Sequence, residues 1–565
     1  MSGLLRYHFV ILAALLLGTC FLPTIGDKYL RVIECRFSLL ARRRVLAIVM
    51  LIVGVIIVRL ALLPLVPIPQ PNIHDEFSYL LAGDTFAHAR LTNPTPSMWP
   101  YLETFHVLVQ PSYASIYPPA QGSVLGMGEM LGNPWFGVLI SSALMCGAIL
   151  WALQGWVSPG WAFLGGLLVA LRIGIVGDWV NSYWGGAVAA TGGALVIGAL
   201  PRILRSQRTR DSLALGLGTI VLANSRPLEG LIFCVPVIAA LAWALYRKRE
   251  KTKSVVRVLV PLAVTSLCLL GFIGYYNWRV THRPLMFPEA LDSQVYTNYP
   301  MLLWQKFKPP LQYLNPQFDR FYKVVTPAAS PRSVGWSLLA KSHKIWLFFV
   351  GTVLSIPLIC IPNLVQDRRV RLLLLQFLLS FSCAVPIAWF FPHYFAPMTA
   401  TIFVLLIQLM RHMRLWEPGK RPLGLYLTRL IVVLSVARPG VVVAYQMQNP
   451  IQDWRYSRAE IAARLENEPR PQLVLVGYHA DHRPEREWVY NSADIDNAPV
   501  VWARIIPGCD MSPLLDYFKD REIWIVDADA HPASLKPYSE SELTRIVALS
   551  SWPQKSPTQS SQVGK

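Results

Sequence analysis

The sequence predicts an all-α polytopic membrane protein of about twelve transmembrane helices, with a small α/β domain at its C-terminal end. Three observations predict it. Hydrophobic residues fill 53% of the 565 positions and charged residues only 15%, well below the roughly 25% typical of soluble globular domains. Apolar runs long enough for a hydrocarbon core of about 30 Å recur near 8–25, 45–67, 134–156, 160–178, 183–201, 211–226, 228–246, 256–276, 345–362, 372–391, 393–410 and 424–445. Basic residues cluster between them, at 36–44, 202–210, 247–257, 366–371 and 411–421. Simple alternation puts all five clusters on one side, the cytoplasmic side by the positive-inside rule. The net charge of +19 is therefore read as topology, and nucleic acid is not an expected partner.

Residues 1–44 are expected to form a membrane segment followed by a basic cytoplasmic loop. The run at 8–25, preceded by Arg6, also fits a signal peptide, but its cleavage would leave the 36–44 cluster outside. Residues 45–445 form the membrane domain, with two long extracytoplasmic loops, 69–119 and 278–343. Loops of that length are usually functional. Residues 446–550 read as an extracytoplasmic α/β domain, with strands in "PQLVLVGY" (471–478) and "REIWIVDAD" (521–529) and a helix in "MSPLLDYFKDR" (511–521). Residues 551–565 read as a disordered tail. The eight cysteines show neither metal-site nor disulfide spacing.

The candidate chemistry starts in "PNIHDEFSY" (71–79), just beyond a predicted span. Asn72 is a suitable N-cap, and acids in a first helical turn are favoured by the helix dipole. That accounts for Asp75 and Glu76 but not for their surroundings. The same loop carries Glu103 and His106 in "YLETFHV" and re-enters the membrane through "SYASIYPPAQG" (112–122). Adjacent helical positions point about 100° apart, so one acid can face a reaction centre while the other holds the loop.

The order "DEFSYLLAGDTFAHARL", an acid-bearing segment, then "YPPAQGSVLGMGEMLGNPWFGV" resembles the first extracytoplasmic loop of glycosyltransferase family 39 and its relatives, which include protein O-mannosyltransferases and aminoarabinose transferases of lipid A. Tyr117 departs from the pattern, since many relatives have Lys before the proline pair. The resemblance implies a GT-C class fold and an inverting enzyme of the bacterial inner membrane. Such an enzyme moves a sugar from a polyprenyl-phosphate donor to a protein, lipid or glycan acceptor at the outer face, among membrane lipids.

On that reading Asp75 is the base and Glu76 positions the loop or the acceptor. Glu103 orients the site or joins Asp75 in holding a divalent cation, hard oxygen ligands being suited to one. No cofactor is certain. His74, Tyr79, His106 and Tyr117 are candidate sugar or acceptor contacts. A leaving phosphate needs cations or hydrogen-bond donors, and Arg226 in "ANSRPLEG", Arg279, His393 and Tyr394 all fall near predicted outer ends of spans. Arginines at membrane ends also snorkel to headgroups. Asn181, Tyr183 and Trp184 in "GDWVNSYWGGA" can bind a sugar ring, or be an interfacial belt.

Arg172, seemingly inside a span, is expected to face protein or a polar cavity. In the tail, His479 and His482 with Asp481 have a spacing that could hold a metal, although a solvated polar loop accounts for it better. Two other functions stay open: a transporter or flippase of lipid-linked sugars, and a polymerase or ligase of lipid-linked oligosaccharides. A transporter would place polar groups on broken helices in repeated halves near the midplane. The sequence shows no internal repeat, and its ionisable residues concentrate in the outer loops.

Overall fold

The computed structural model describes residues 27–247, 252–297, 300–306, 308, 311–325, 333–449 and 453–550. The expected first span and the expected disordered tail lie outside the described residues. Among those described, seven helices are long and apolar enough to cross a membrane: Arg44–Ala61, Pro134–Trp156, Gly186–Ser206, Pro227–Arg247, Val255–Thr281, Pro392–Arg414 and Leu423–Gln448. The chain is an integral membrane protein.

Of the about twelve expected spans, the first lies outside the described residues, seven are the long helices above, and four are short or broken helices. Thr209–Ala223 has only 15 residues. Arg371–Ala384 stops before the proline-rich segment that follows it. The apolar helix at Pro159–Gly174 closes in a π-helical turn. There Arg172 donates to the Phe348 carbonyl at 3.0 Å, inside protein as expected. The run at 345–362 is a bent pair, Val334–Leu354 and Ile356–Gln366, turned by 95°. Pro357 lies in the short 3-10 turn after the bend, where a missing N–H is tolerated.

Contacts bring four of the five basic clusters to one end of the bundle: the Gln154 side chain donates to the Arg44 carbonyl at 3.1 Å and Arg205 to the Gly155 carbonyl at 3.0 Å, while His412 lies 3.5 Å from Asp367. At the basic end the 36–44 cluster is largely helical, not a loop. Asp27–Arg42 forms a helix whose Glu34 pairs with Arg414 at 3.1 Å and Arg429 at 3.0 Å. At the other end, the Gly186–Ser206 helix lies so close to the 3-10 turn Pro392–Met398 that a Cβ on Gly193 would stand 2.1 Å from the Pro397 carbonyl oxygen. That close approach seats the turn carrying Tyr394.

In the first long loop β1 (Val107–Leu108) pairs antiparallel with β2 (Ala114–Ser115), and beyond this end of the bundle is a four-stranded sheet in the order β4-β3-β5-β6. β3 (Gln472–Gly477) pairs in parallel with β4 (Val500–Arg504) and β5 (Glu522–Asp527), and β6 (Ser534–Pro537) joins antiparallel at the edge. Both expected strands are present, β4 and β6 were not anticipated, and the helix between them is shorter, Ser512–Tyr517. Every residue of central β3 is buried, as a strand covered on both faces must be.

The domain is pinned by an ion pair between Arg504 and Glu487 at 2.7 Å, with side chains 1% and 0% exposed. The Glu487 carboxylate also accepts from the Tyr478 hydroxyl and from the Val489 amide at 2.9 Å. Removing one member of such a pair leaves a bare buried charge. We expect Glu487→Ala to destabilise this domain by about 3–5 kcal/mol, read as a lower urea midpoint in pulse proteolysis of the detergent-solubilised chain.

The domain packs directly on the first long loop. Phe77 stacks on Tyr490 with ring centroids 4.3 Å apart, and the Asp84 carboxylate accepts from the Ala493 amide at 2.7 Å. Tyr113 donates to the Asn491 carbonyl at 3.1 Å.

Candidate functional site

The site is built where the Arg44–Ala61 span ends. Arg59, fully buried, donates to the Val66 carbonyl at 2.9 Å and to Asn181 Oδ1 at 2.9 Å, and lies 4.8 Å over the Trp135 ring. These bonds curl the chain back so that the next helix, His74–Ala87, starts beneath the loop. Its N-cap is Ile73, without a side-chain cap bond, which corrects the expectation for Asn72. The helix start is satisfied from inside instead. Glu76, 2% exposed, accepts from the Tyr183 amide at 3.1 Å and from the Asn72 backbone. Burial pushes its carboxyl up to about 8, so at neutral pH Glu76 is a protonated strut.

That strut reassigns part of the 177–187 turn. Tyr183 donates to the Pro69 carbonyl at 3.0 Å, and the Asn181 side chain holds Arg59 and the Gly177 carbonyl. Trp184 packs on His393 at 4.1 Å between ring centroids. None of Asn181, Tyr183 and Trp184 lines the cavity described next, which corrects their expected role as sugar contacts. Their polar atoms and rings are already engaged in holding the turn.

Asp75, one position before Glu76, points the other way, into a cavity of about 940 Å³ lined by the loops and span ends. It accepts from the Tyr117 hydroxyl. His74 Nδ1 lies 2.9 Å and His106 Nε2 4.0 Å from its Oδ2. Burial pushes the Asp75 carboxyl up, but the charges of His106 and His74 and the hydrogen bonds from His74 and Tyr117 together hold it well below the usual carboxylate range. Burial lowers His106 to about 4, so at neutral pH its imidazole is uncharged and the hydrogen bonds from His74 and Tyr117 are what favour the ionised Asp75. The raised carboxyl of the pair is Glu76, not Asp75, the reverse of what a dry pocket alone suggests. Tyr117 stands where the resemblance expects Lys; it stacks on Tyr79 at 4.3 Å and aims its hydroxyl at Asp75.

Across the cavity, Arg226 precedes the Pro227–Arg247 span and lies 4.5 Å over the Tyr394 ring. Both line the cavity. Among the described residues no carboxylate lies within ion-pair distance of Arg226, although Glu229 and Glu289 contribute to its field. The two other expected phosphate contacts are not brought here. Arg279 is exposed and donates to Tyr275 Oη at 3.3 Å, off the cavity wall. His393 is 3% exposed, behind Trp184.

Glu103 is also set apart from Asp75. It accepts from Tyr296 Oη at 2.7 Å, and its backbone carbonyl accepts from Arg504 of the C-terminal domain at 3.4 Å. The described residues that could hold a cation beside Asp75 are His74 and His106, whose ligand atoms and that of Asp75 all lie within 4.8 Å of one another. Two imidazoles and one carboxylate suit a borderline divalent ion such as zinc. His106 Nδ1 has no hydrogen-bond partner.

Five charged cavity residues were not singled out by sequence: Glu229, Glu289, Asp292, Lys308 and Glu485. The acidic spacing in "FPEALDSQ" was the available signal for two of them. In the tail, His479 pairs with Asp527 at 2.9 Å and His482 with Asp529 at 2.8 Å. These contacts at the end of β5 replace the expected grouping with Asp481.

No family model matches the chain, and no curated protein matches it. Similar solved structures include apo ArnT from Cupriavidus metallidurans, 14% identical, covering 84% of this chain and 92% of that one with a TM-score of 0.47. The same protein bound to undecaprenyl phosphate is 13% identical over 85% and 92% of the two chains, also at 0.47. The oligosaccharyltransferase of Archaeoglobus fulgidus, tethered with an acceptor peptide, is 10% identical over 85% of this chain and 69% of that one, at 0.41. These neighbours are glycosyltransferases of the GT-C class.

Proposed function

We propose that the chain is an inverting glycosyltransferase that moves a sugar from a polyprenyl-phosphate donor to an acceptor hydroxyl or amine at the extracytoplasmic face of a bacterial inner membrane. Residues 45–445 would be its membrane domain and 446–550 an extracytoplasmic domain. The observation that carries this reading is one cavity with an ionised carboxylate, Asp75, on one wall and Arg226, with no carboxylate within ion-pair distance among the described residues, on another. An inverting displacement calls for a base beside the nucleophile and a cation at the leaving phosphate.

In the proposed reaction the acceptor's heteroatom attacks C1 from the side opposite the phosphate, and its proton passes to Asp75. The C1–O bond breaks, and its electrons leave on the phosphate, whose charge Arg226 meets with a planar fork of donors. Tyr394 beneath the guanidinium fixes its plane. Ile273 and Tyr276 of the Val255–Thr281 span also line the cavity, giving a prenyl chain an apolar exit. A divalent cation, if bound, would be held by His74, Asp75 and His106 and would supply Lewis acidity there.

Tyr117 tunes the base. Its hydrogen bond favours ionised Asp75, so Tyr117→Phe raises that carboxyl. Because Asp75 must be ionised to accept a proton, the acid limb of the kcat/KM profile is expected to move to higher pH. A pH–rate comparison of the two proteins checks this.

The function itself is tested with purified chain in proteoliposomes, supplied with polyprenyl-phosphate sugars labelled in the sugar and with outer-face acceptors. The expected product carries the label with inverted anomeric configuration. If no donor gives product while labelled lipid-linked sugar crosses the bilayer, the chain is a transporter instead.

A further inference from the structure

A second group of metal-ligating side chains lies in the first long loop and the helix after it, away from the cavity. Asp84 and His88 are four positions apart at the end of the His74–Ala87 helix and so share a face. Glu129 comes from the last turn of the Pro119–Met130 helix packed against it. The three offer ligand atoms that all lie within 4.8 Å of one another. None of them lines the cavity, and the proposed reaction uses none.

The backbone fixes this arrangement. The two helices cross where Gly83 meets Gly126: a Cβ on Gly83 would stand 2.8 Å from the Leu125 Cβ, and one on Gly126 would stand 2.8 Å from the Gly83 carbonyl oxygen. The crossing adjoins Asp84 and lies within a turn of Glu129, so the backbones that carry the two acids are held at close range. Asp84 is anchored further, since its Oδ2 accepts from the Ala493 amide at 2.7 Å. Its Oδ1 remains for the group, 3.0 Å from His88 Nδ1. Among the described residues Glu129 has no hydrogen-bond or ion-pair partner, and no Lys or Arg lies within ion-pair distance of either acid.

Two acids kept together call for positive charge between them. An imidazolium at His88 offsets one of them. A divalent cation offsets both and takes the neutral imidazole as its third ligand. Burial and the Asp84 charge push the Glu129 carboxyl up to about 7, so a bound cation displaces a proton there. Two carboxylate oxygens and one imidazole nitrogen suit a borderline ion such as zinc. The His88 side chain is 61% exposed, which leaves a fourth position to water.

We propose that Asp84, His88 and Glu129 form a zinc-type site that clamps the helix carrying Asp75 to the Pro119–Met130 helix. Asp84 extends the clamp to the C-terminal domain through Ala493. All three parts contribute to the cavity wall, through Asp75, Pro119 and Glu485, so the ion ties together what encloses it. The proposal goes beyond the transferase reading and does not rest on it.

The test uses the full chain in nanodiscs, stripped with a chelator, and zinc chloride as the probe. Because His74, Asp75 and His106 also offer ligands, the reference protein carries His74→Gln and His106→Gln. Calorimetric titration of that protein is expected to show about one equivalent of zinc. Adding His88→Gln or Glu129→Gln should weaken the affinity by at least about tenfold, since loss of an outer-shell partner alone costs that much. Zinc should also raise the thermal unfolding midpoint of the reference protein and leave that of either variant nearly unchanged. His88 is exposed, so His88→Gln carries the test if Glu129→Gln does not fold. Absence of a zinc equivalent in the reference protein overturns the proposal, as does unchanged affinity in His88→Gln or in folded Glu129→Gln.

Discussion

Asp75→Asn is expected to lower the turnover of sugar transfer by about 10²–10⁴-fold, the usual contribution of a positioned general base. Asparagine keeps an oxygen for the Tyr117 hydroxyl but cannot accept a proton, so the loss falls on turnover more than on donor binding. The neighbouring acid gives the control. Glu76 is protonated at neutral pH and accepts from the Tyr183 and Asn72 backbones. Glutamine can make the same bonds. Glu76→Gln should therefore transfer within about threefold of wild type, while Glu76→Ala, which leaves the Tyr183 amide unpaired, should lose folding stability. Initial rates of labelled product with saturating donor separate the variants. Wild-type turnover by Asp75→Asn would remove the base assignment; a large loss in Glu76→Gln would exchange the roles of the two acids.

The division of labour between these acids shows what a sequence can and cannot reveal. Their opposite directions follow from the helical period, which is local. Buried strands β3 and β5 are legible as short apolar runs between polar ones. β4, "VVWAR", carries the same signal but is five residues long and flanked by further apolar positions.

What was not legible depends on distant partners. Asn181 reads as a sugar ligand until Arg59, 122 positions earlier, takes its oxygen. Glu103 reads as a partner of Asp75 until Tyr296, 193 positions later, binds it. Asp292 has only the acidic spacing of "FPEALDSQ" as a signal; the folding of the second loop is what brings it to the same cavity as Asp75. The breaks within four of the expected spans were illegible for another reason. Apolar length alone does not register that prolines and short helices break a run into pieces that lean on neighbouring protein.

Arg226→Ala is expected to reduce kcat/KM by about 10²–10³-fold, the scale found when one preorganised donor is removed from a developing anion. The effect should divide in a particular way. The donor's phosphate diester already carries one negative charge, and the leaving monoester gains a second. Arg226 should thus contribute to donor affinity and, more strongly, to the transition state. Arg226→Lys restores charge without the planar fork or the stacking on Tyr394, so it should recover donor affinity better than turnover. Arg279→Ala is the matching control, because Arg279 is exposed and off the cavity wall; its activity should stay within about twofold of wild type. Competition by unglycosylated polyprenyl phosphate supplies a readout independent of chemistry. Its inhibition constant should rise in Arg226→Ala and hold in Arg279→Ala, and the opposite pattern would move the phosphate to the Arg279 end of the Val255–Thr281 span.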